Sequence, residues 1–249
     1  MPDHRPTLIL AAARRNVRAA LHALIACACL FHAPAAEAEK SKVFYAMELS
    51  SLRGANGVNS AVVRRMVDQV VCGATGKSSP AAAWASLVKP TDRVGIKVAA
   101  SGGSTGATHP AVVEAIAQGL ASAGIPPSNI LVWDRNLDDL LAAGFSKKSP
   151  LYRLEWTDPA NGYDKKTIVT APVLGRLIWG DSQFGLREGT EMVDVLGSGE
   201  QLSSTSHWSK ILSTRVDKVV NVPSLQDSVF SGVNGAVANM TLPNLDNWR

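Results

Sequence analysis

The residues that suggest chemistry cluster in three stretches of the chain. Lys97 stands inside an apolar run, Val94-Gly95-Ile96-Lys97-Val98, where an ammonium without a partner is costly to bury. Either it ends a strand facing an acidic group such as Asp134, or it points to a solvated face. Gly102-Gly103-Ser104-Thr105-Gly106 follows, and then Thr108-His109-Pro110. As an imidazole, His109 suits proton transfer or ligand contact; directly before Pro110 it equally suits a helix cap or an exposed surface group. Asp134-Arg135 ends a second apolar run and either binds polar substrate atoms or forms a self-satisfying ion pair. Asn221 and Asp227 lie in and after a third. Together these residues suit a small polar, anionic compound. Lys97 and His109 are the candidate catalytic groups, and Gly102, Gly103, Thr108, His109, Asp134, Arg135, Asn221 and Asp227 the candidate ligand contacts.

The elements that would position them read from the hydrophobic pattern. Asp92 to Val98 is a β-branched run expected as a strand, and Ala99 to Thr108 a loop. Pro110 opens a helix in which Val112, Val113, Ile116, Ala117 and Leu120 share one face, and Gly124 stops it. Ile130 to Trp133 is the next strand. Strand, loop, helix and strand make a βαβ unit, hence a parallel pair. Lys218 to Val222 resumes the core as another strand. Upstream, Lys42 to Met47 is expected as a strand, and Val62, Val63, Met66, Val67, Val70 and Val71 mark a helix from about Ser60 that stops by Gly73. Cys72, at its end, reads as plain packing. Lys77 to Pro80 is expected as a loop. Residues 151–215 read as a β-rich insertion, with strands at Thr167 to Val173 and Leu177 to Trp179, and Gly232 to Met240 is a helix candidate. The expectation is one α/β domain, a mostly parallel sheet with βαβ units and a β-rich insertion. In such sheets ligands sit beyond the carboxyl ends of the strands, where the three chemistry-bearing stretches converge.

Several functions are excluded on composition or motif. The chain has 249 residues, 46% apolar and 18% charged, which excludes a wholly disordered chain, and only 6% aromatic, which argues against an aromatic nucleic-acid platform. The Gly-rich stretch is neither a dinucleotide fingerprint nor a Lys-containing phosphate loop, so it indicates no cofactor. Gly197-Ser198-Gly199 is not a nucleophile elbow, and no Ser/His/Asp or Cys/His triad can be assembled. Residues 1–38 read as an export signal: Arg5, Arg14, Arg15 and Arg18, then the apolar run Ala19 to Phe31, then Ala36 and Ala38 as an A-x-A site before Glu39. The protein is therefore expected to be periplasmic or secreted, with no transmembrane helix after cleavage. Leu24-Ile25-Ala26-Cys27 resembles a lipoprotein box, but the apolar run continues past Cys27, so ordinary cleavage is preferred. Arg14-Arg15 is a weak twin-arginine match, because Arg18 stands where an apolar residue is needed. The first 38 residues hold four Arg and two acids, so the formal charge of +4 falls to +2 without them, leaving no basic patch for nucleic acid. Only Cys72, His109 and His207 then remain of the thiols and imidazoles. No internal disulfide, iron–sulphur cluster or Cys-based zinc site can be built from these, and no metal site is expected. His207, after Ser203-Ser204-Thr205-Ser206, reads as a surface group.

The chain resembles the domain-of-unknown-function family 362. The likeness rests on Val94–Val98, Thr108-His109-Pro110-Ala111-Val112-Val113-Glu114-Ala115-Ile116, Ala123-Gly124-Ile125-Pro126-Pro127 and Val132-Trp133-Asp134-Arg135. A second block is Asp217-Lys218-Val219-Val220-Asn221-Val222-Pro223 with Gly232-Val233-Asn234-Gly235-Ala236-Val237-Ala238-Asn239-Met240. The resemblance implies an exported α/β domain. Because some members are joined to ferredoxin modules, it also implies a ferredoxin-like or other redox partner. Where members carry a Lys-Asp-His-like triplet this chain has Gln226-Asp227-Ser228, and Ala238 replaces an expected Lys. Members also run on past the position of Arg249, so a C-terminal part of the family domain is expected to be missing. The function expected is binding of, or action on, a small polar or anionic molecule at the strand ends. The alternatives are a non-catalytic partner module of an extracytoplasmic redox or cofactor system, or an inactive shortened copy.

Overall fold

β-Branched runs at three places in the chain build the sheet that organises the molecule. In the computed structural model, Val94–Val98 (β3), Ile130–Asp134 (β4), Arg153–Trp156 (β5) and Lys218–Val222 (β8) lie parallel in the order β5-β4-β3-β8. The structure describes residues 41–54, 57–158, 161–170, 205–228 and 232–246. The chain divides into two compact units, Met1–Val43 and Phe44–Arg249, and the sheet belongs to the second. Within that unit, Leu52–Arg53 (β1) and Gly57–Val58 (β2) form a short antiparallel ribbon. Tyr163–Thr170 (β6) pairs antiparallel with Thr205–Ser209 (β7), and Gln226–Ser228 (β9) with Gly232–Asn234 (β10). The helices are Ser60–Thr75 (α1), Pro80–Leu87 (α2), Gly103–Gly106 (α3), Pro110–Ser122 (α4), Leu137–Ala142 (α5) and Ala236–Thr241 (α6).

Alternation along the strands sorts the core into two layers. Val94, Ile96, Val98, Ile130 and Val132 meet Val113, Ile116, Ala117 and Leu120 of α4 on one face. On the other, Leu131 and Trp133 pack with Ile211, Leu212, Val216 and Val219. Gly95 is required on this second face, because a Cβ there would lie 2.5 Å from Trp133 Cζ3 and 2.8 Å from Val216 Cγ1. Lys97 belongs to the same layer, one residue pair further along.

The parallel sheet and the βαβ unit stand as the sequence implies, and several boundaries move. Lys42 to Met47 forms no strand; Val43, Tyr45 and Met47 are exposed, and no described strand pairs with them. α1 runs on through Thr75 to a left-handed cap at Gly76, φ +67°. The loop expected at Lys77 to Pro80 holds through Ser79, which caps a helix: Ser79 Oγ accepts the Ala82 N–H, and Pro80 sits at the first helical position. Short helices also occupy 103–106 and 137–142. Arg153–Trp156 joins the core sheet as its edge, so the β-rich excursion begins after it. Gly232–Asn234 is a strand because it pairs with Gln226–Ser228, which leaves the helix to start at Ala236. The expected signal segment, including Cys27, and the expected strand at Leu177 to Trp179 lie outside the described residues.

Candidate functional site

β3 and β4 run in register, Lys97 opposite Trp133, and β8 sets Asn221 opposite Lys97 on the other side. This register brings Lys97, Asp134 and Asn221 to the carboxyl end of the sheet. Lys97 is fully buried. Its Nζ donates to Asp134 Oδ1 at 2.6 Å, to the Val98 carbonyl at 2.6 Å and to Asn239 Oδ1 at 3.0 Å. An ammonium has three hydrogens to give, so Lys97 is saturated. Burial drives its pKa below the ordinary value, and the Asp134 carboxylate pulls the other way. Asp134 is equally occupied: Oδ1 also accepts the Arg135 N–H, and Oδ2 accepts the Ala100 N–H at 2.7 Å.

Asn239, which no sequence motif marks as a site residue, is the hinge of the network. Its amide donates to Asn221 Oδ1 at 2.7 Å and to the Lys97 carbonyl at 3.3 Å, while Asn221 donates to the Ala236 carbonyl. One buried amide thus ties α6 to two strands. Asn244, also fully buried, accepts from Trp133 Nε1 at 3.1 Å and donates to the Met240 carbonyl. Asn239 does fall in the Gly232–Met240 block of the family resemblance, but nothing local to it announces a partner 142 residues away.

In front of this network lies a cleft of about 70 Å³, lined by Ser101, Asp134, Ser224, Gln226, Asn234 and Asn239, with Ala99, Gly235, Ala238, Leu242 and Pro243. The loop after β3 is locked beside it. Thr108 Oγ1 accepts the Ala99 N–H and donates to the Val222 carbonyl, and Ser224 and Gln226 both donate to the Gly106 carbonyl. Gly102 has no room for a side chain between Gly106, Ala107 and Gln226.

The other expected site residues lie elsewhere. Gly103, Thr108 and His109 line a different cavity of about 580 Å³. His109 is the N-cap of α4, its Nδ1 accepting the Ala111 N–H at 3.1 Å. Arg135 reaches away to the Leu245 carbonyl. Asp227 is exposed on β9 and lines no described cavity. His207 is not a surface group: Asp246 accepts its main-chain N–H at 2.7 Å and lies 2.8 Å from its Nδ1. Among the described residues no group of three or more His, Cys, Asp or Glu converges, and no helix is long and apolar enough to cross a membrane. No protein-family model matches this chain, and neither a curated protein nor a solved structure is significantly similar to it.

Proposed function

We propose that Phe44–Arg249 is a binding module for a small polar molecule seated at the carboxyl ends of β3, β4 and β8. The carrying observation is the convergence of hydroxyl, amide and carboxylate groups from separate segments, Ser101, Asp134, Ser224, Gln226, Asn234 and Asn239, on one small cleft. Its lining contains one carboxylate and no cationic side chain, which favours a neutral hydrogen-bonding ligand over the anion expected from the sequence. Saturation of Lys97 and the distance of His109 from the cleft favour binding over catalysis, and hence also a non-catalytic partner module of an exported redox or cofactor system. Membership of family 362 is part of the proposal. In its support, the Val94–Val98 and Asp217–Pro223 blocks are neighbouring strands, and the Gly232–Met240 block supplies Asn239 to Lys97.

The test is thermal unfolding of the full chain against small polyols, primary amides and dicarboxylates at millimolar concentration. A neutral polyol or amide is expected to raise the midpoint, and Ser101→Leu, which blocks the cleft, to remove the shift. A shift that persists in Ser101→Leu, or one confined to dicarboxylates, would overturn the reading.

A further inference from the structure

A predominantly apolar space opens away from the polar cleft. It lies between α1, α4 and β8, measures about 530 Å³, and is walled by Val58, Val63, Met66, Val67, Val70 and Val71 together with Val112, Ile116, Val220 and Val222. No Lys, Arg, Asp or Glu lines it. Volume and lining fall in the range of sites that enclose a small organic ligand. Ser51, Asn221 and His109 put polar side chains in the wall, and the Asn221 amide is already bonded to the Ala236 carbonyl and to Asn239. Trp84 contributes ring surface to the wall, while its buried indole N–H is packed against Gly119 of α4. His109 stands exposed at the margin. Because its Nδ1 accepts the Ala111 N–H, the neutral ring carries its hydrogen on Nε2 and presents a donor. Leu52, Val58 and His109 also border the 580 Å³ cavity, whose wall includes Ser104, Thr105 and Thr108. The lining therefore changes from apolar to polar at His109.

We infer that this cavity is a second binding site, for a neutral lipophilic molecule carrying a carbonyl-type acceptor: apolar body among the valines, acceptor toward His109 Nε2. The Nε2 donor and the lack of any Lys, Arg, Asp or Glu in the wall select an uncharged acceptor over a carboxylate or an amine. This site is independent of the polar cleft, with which it shares no lining residue.

The probe is N-phenyl-1-naphthylamine, whose emission rises in a dry apolar site, titrated into the full chain. Saturable binding near one equivalent is expected. Val112→Phe and Val70→Phe each place a ring in the cavity and should weaken that binding at least tenfold while both variants retain a cooperative unfolding transition. Displacement of the probe by 2-undecanone should be about five- to tenfold more effective than by undecane, the worth of one hydrogen bond, and more effective than by undecanoate. His109→Ser, which keeps an oxygen to cap α4 but lacks Nε2, should reduce the preference for the ketone over the alkane. Absence of saturable binding, equal binding in both filled variants, or displacement best achieved by undecanoate would each overturn the inference.

Discussion

The ammonium of Lys97 and the carboxylate of Asp134 sustain one another where neither is tolerable alone. Replacing Lys97 by Met leaves Asp134 buried without its counter-charge, and a loss of about 3–5 kcal/mol in urea unfolding is expected. Adding Asp134→Leu should restore only part of it, because the Ala100 and Arg135 N–H groups lose their acceptor. The same lysine sets an alkaline pH dependence. Its folded pKa lies below the ordinary 10.5, so between those two values the unfolded chain binds more protons and stability rises with pH. Tyr152 and Tyr163 have pKa values raised above 10.0, chiefly by burial, and oppose the trend only as pH climbs past that value. Unfolding free energies measured as pH rises toward 10 should therefore slope upward in the parent and less so in Lys97→Met. Asp246 works at the other end of the scale. Burial pushes its carboxyl up, but bonds from the His207 main chain and ring and from Lys165 outweigh that and hold it below 3.8. Its contribution is present above that value and fades as pH falls through the lowered one, so Asp246→Asn should shrink the stability lost on acidification below pH 4.

At the level of elements, legibility in the sequence followed locality. β3, α4 and β4 were readable because each carries its own pattern: β-branched runs, a stripe at Val112, Val113, Ile116 and Leu120, Pro110 before it and Gly124 after it. The Lys97–Asp134 meeting was readable as one of two alternatives, since both residues end adjacent parallel strands. Asn239 was not, because a polar residue in a six-residue helix acquires meaning only when β8 and α6 fold back on β3. Lys42 to Met47 misled for the opposite reason: a strand-like pattern without a partner strand remains a pattern. The glycines carry element-scale information that composition hides. Gly119 is where α4 meets Trp84, whose Nε1 would lie 2.1 Å from a Cβ. Gly119→Ala should push the indole aside at a cost of about 1–3 kcal/mol, with loss of Trp84's contribution to near-ultraviolet circular dichroism. If the spectrum and stability both stay as in the parent, that close approach is not what holds α2 against α4.

Across the whole molecule, burial is uneven. Most of the fully enclosed side chains belong to the sheet and α4, whereas the segment before β1 exposes Tyr45, Met47 and Leu49, the last at 87%. Leu49→Ser should change stability by less than about 0.5 kcal/mol, against about 1–3 kcal/mol for Val113→Ala in the core, and paired urea titrations would compare them directly. The two cavities divide along the same line, one at the strand ends among amides and hydroxyls, the other beneath α1 among valines. The saturation of Lys97 also bears on labelling chemistry. An amine whose three hydrogens are all engaged out of water has no free lone pair for reductive methylation or acylation. Lysines such as Lys165 on the surface should label within minutes, and Lys97 only when the chain opens. Mass-spectrometric occupancy at that one residue would then count unfolding events, giving the molecule a built-in clock for its own global opening.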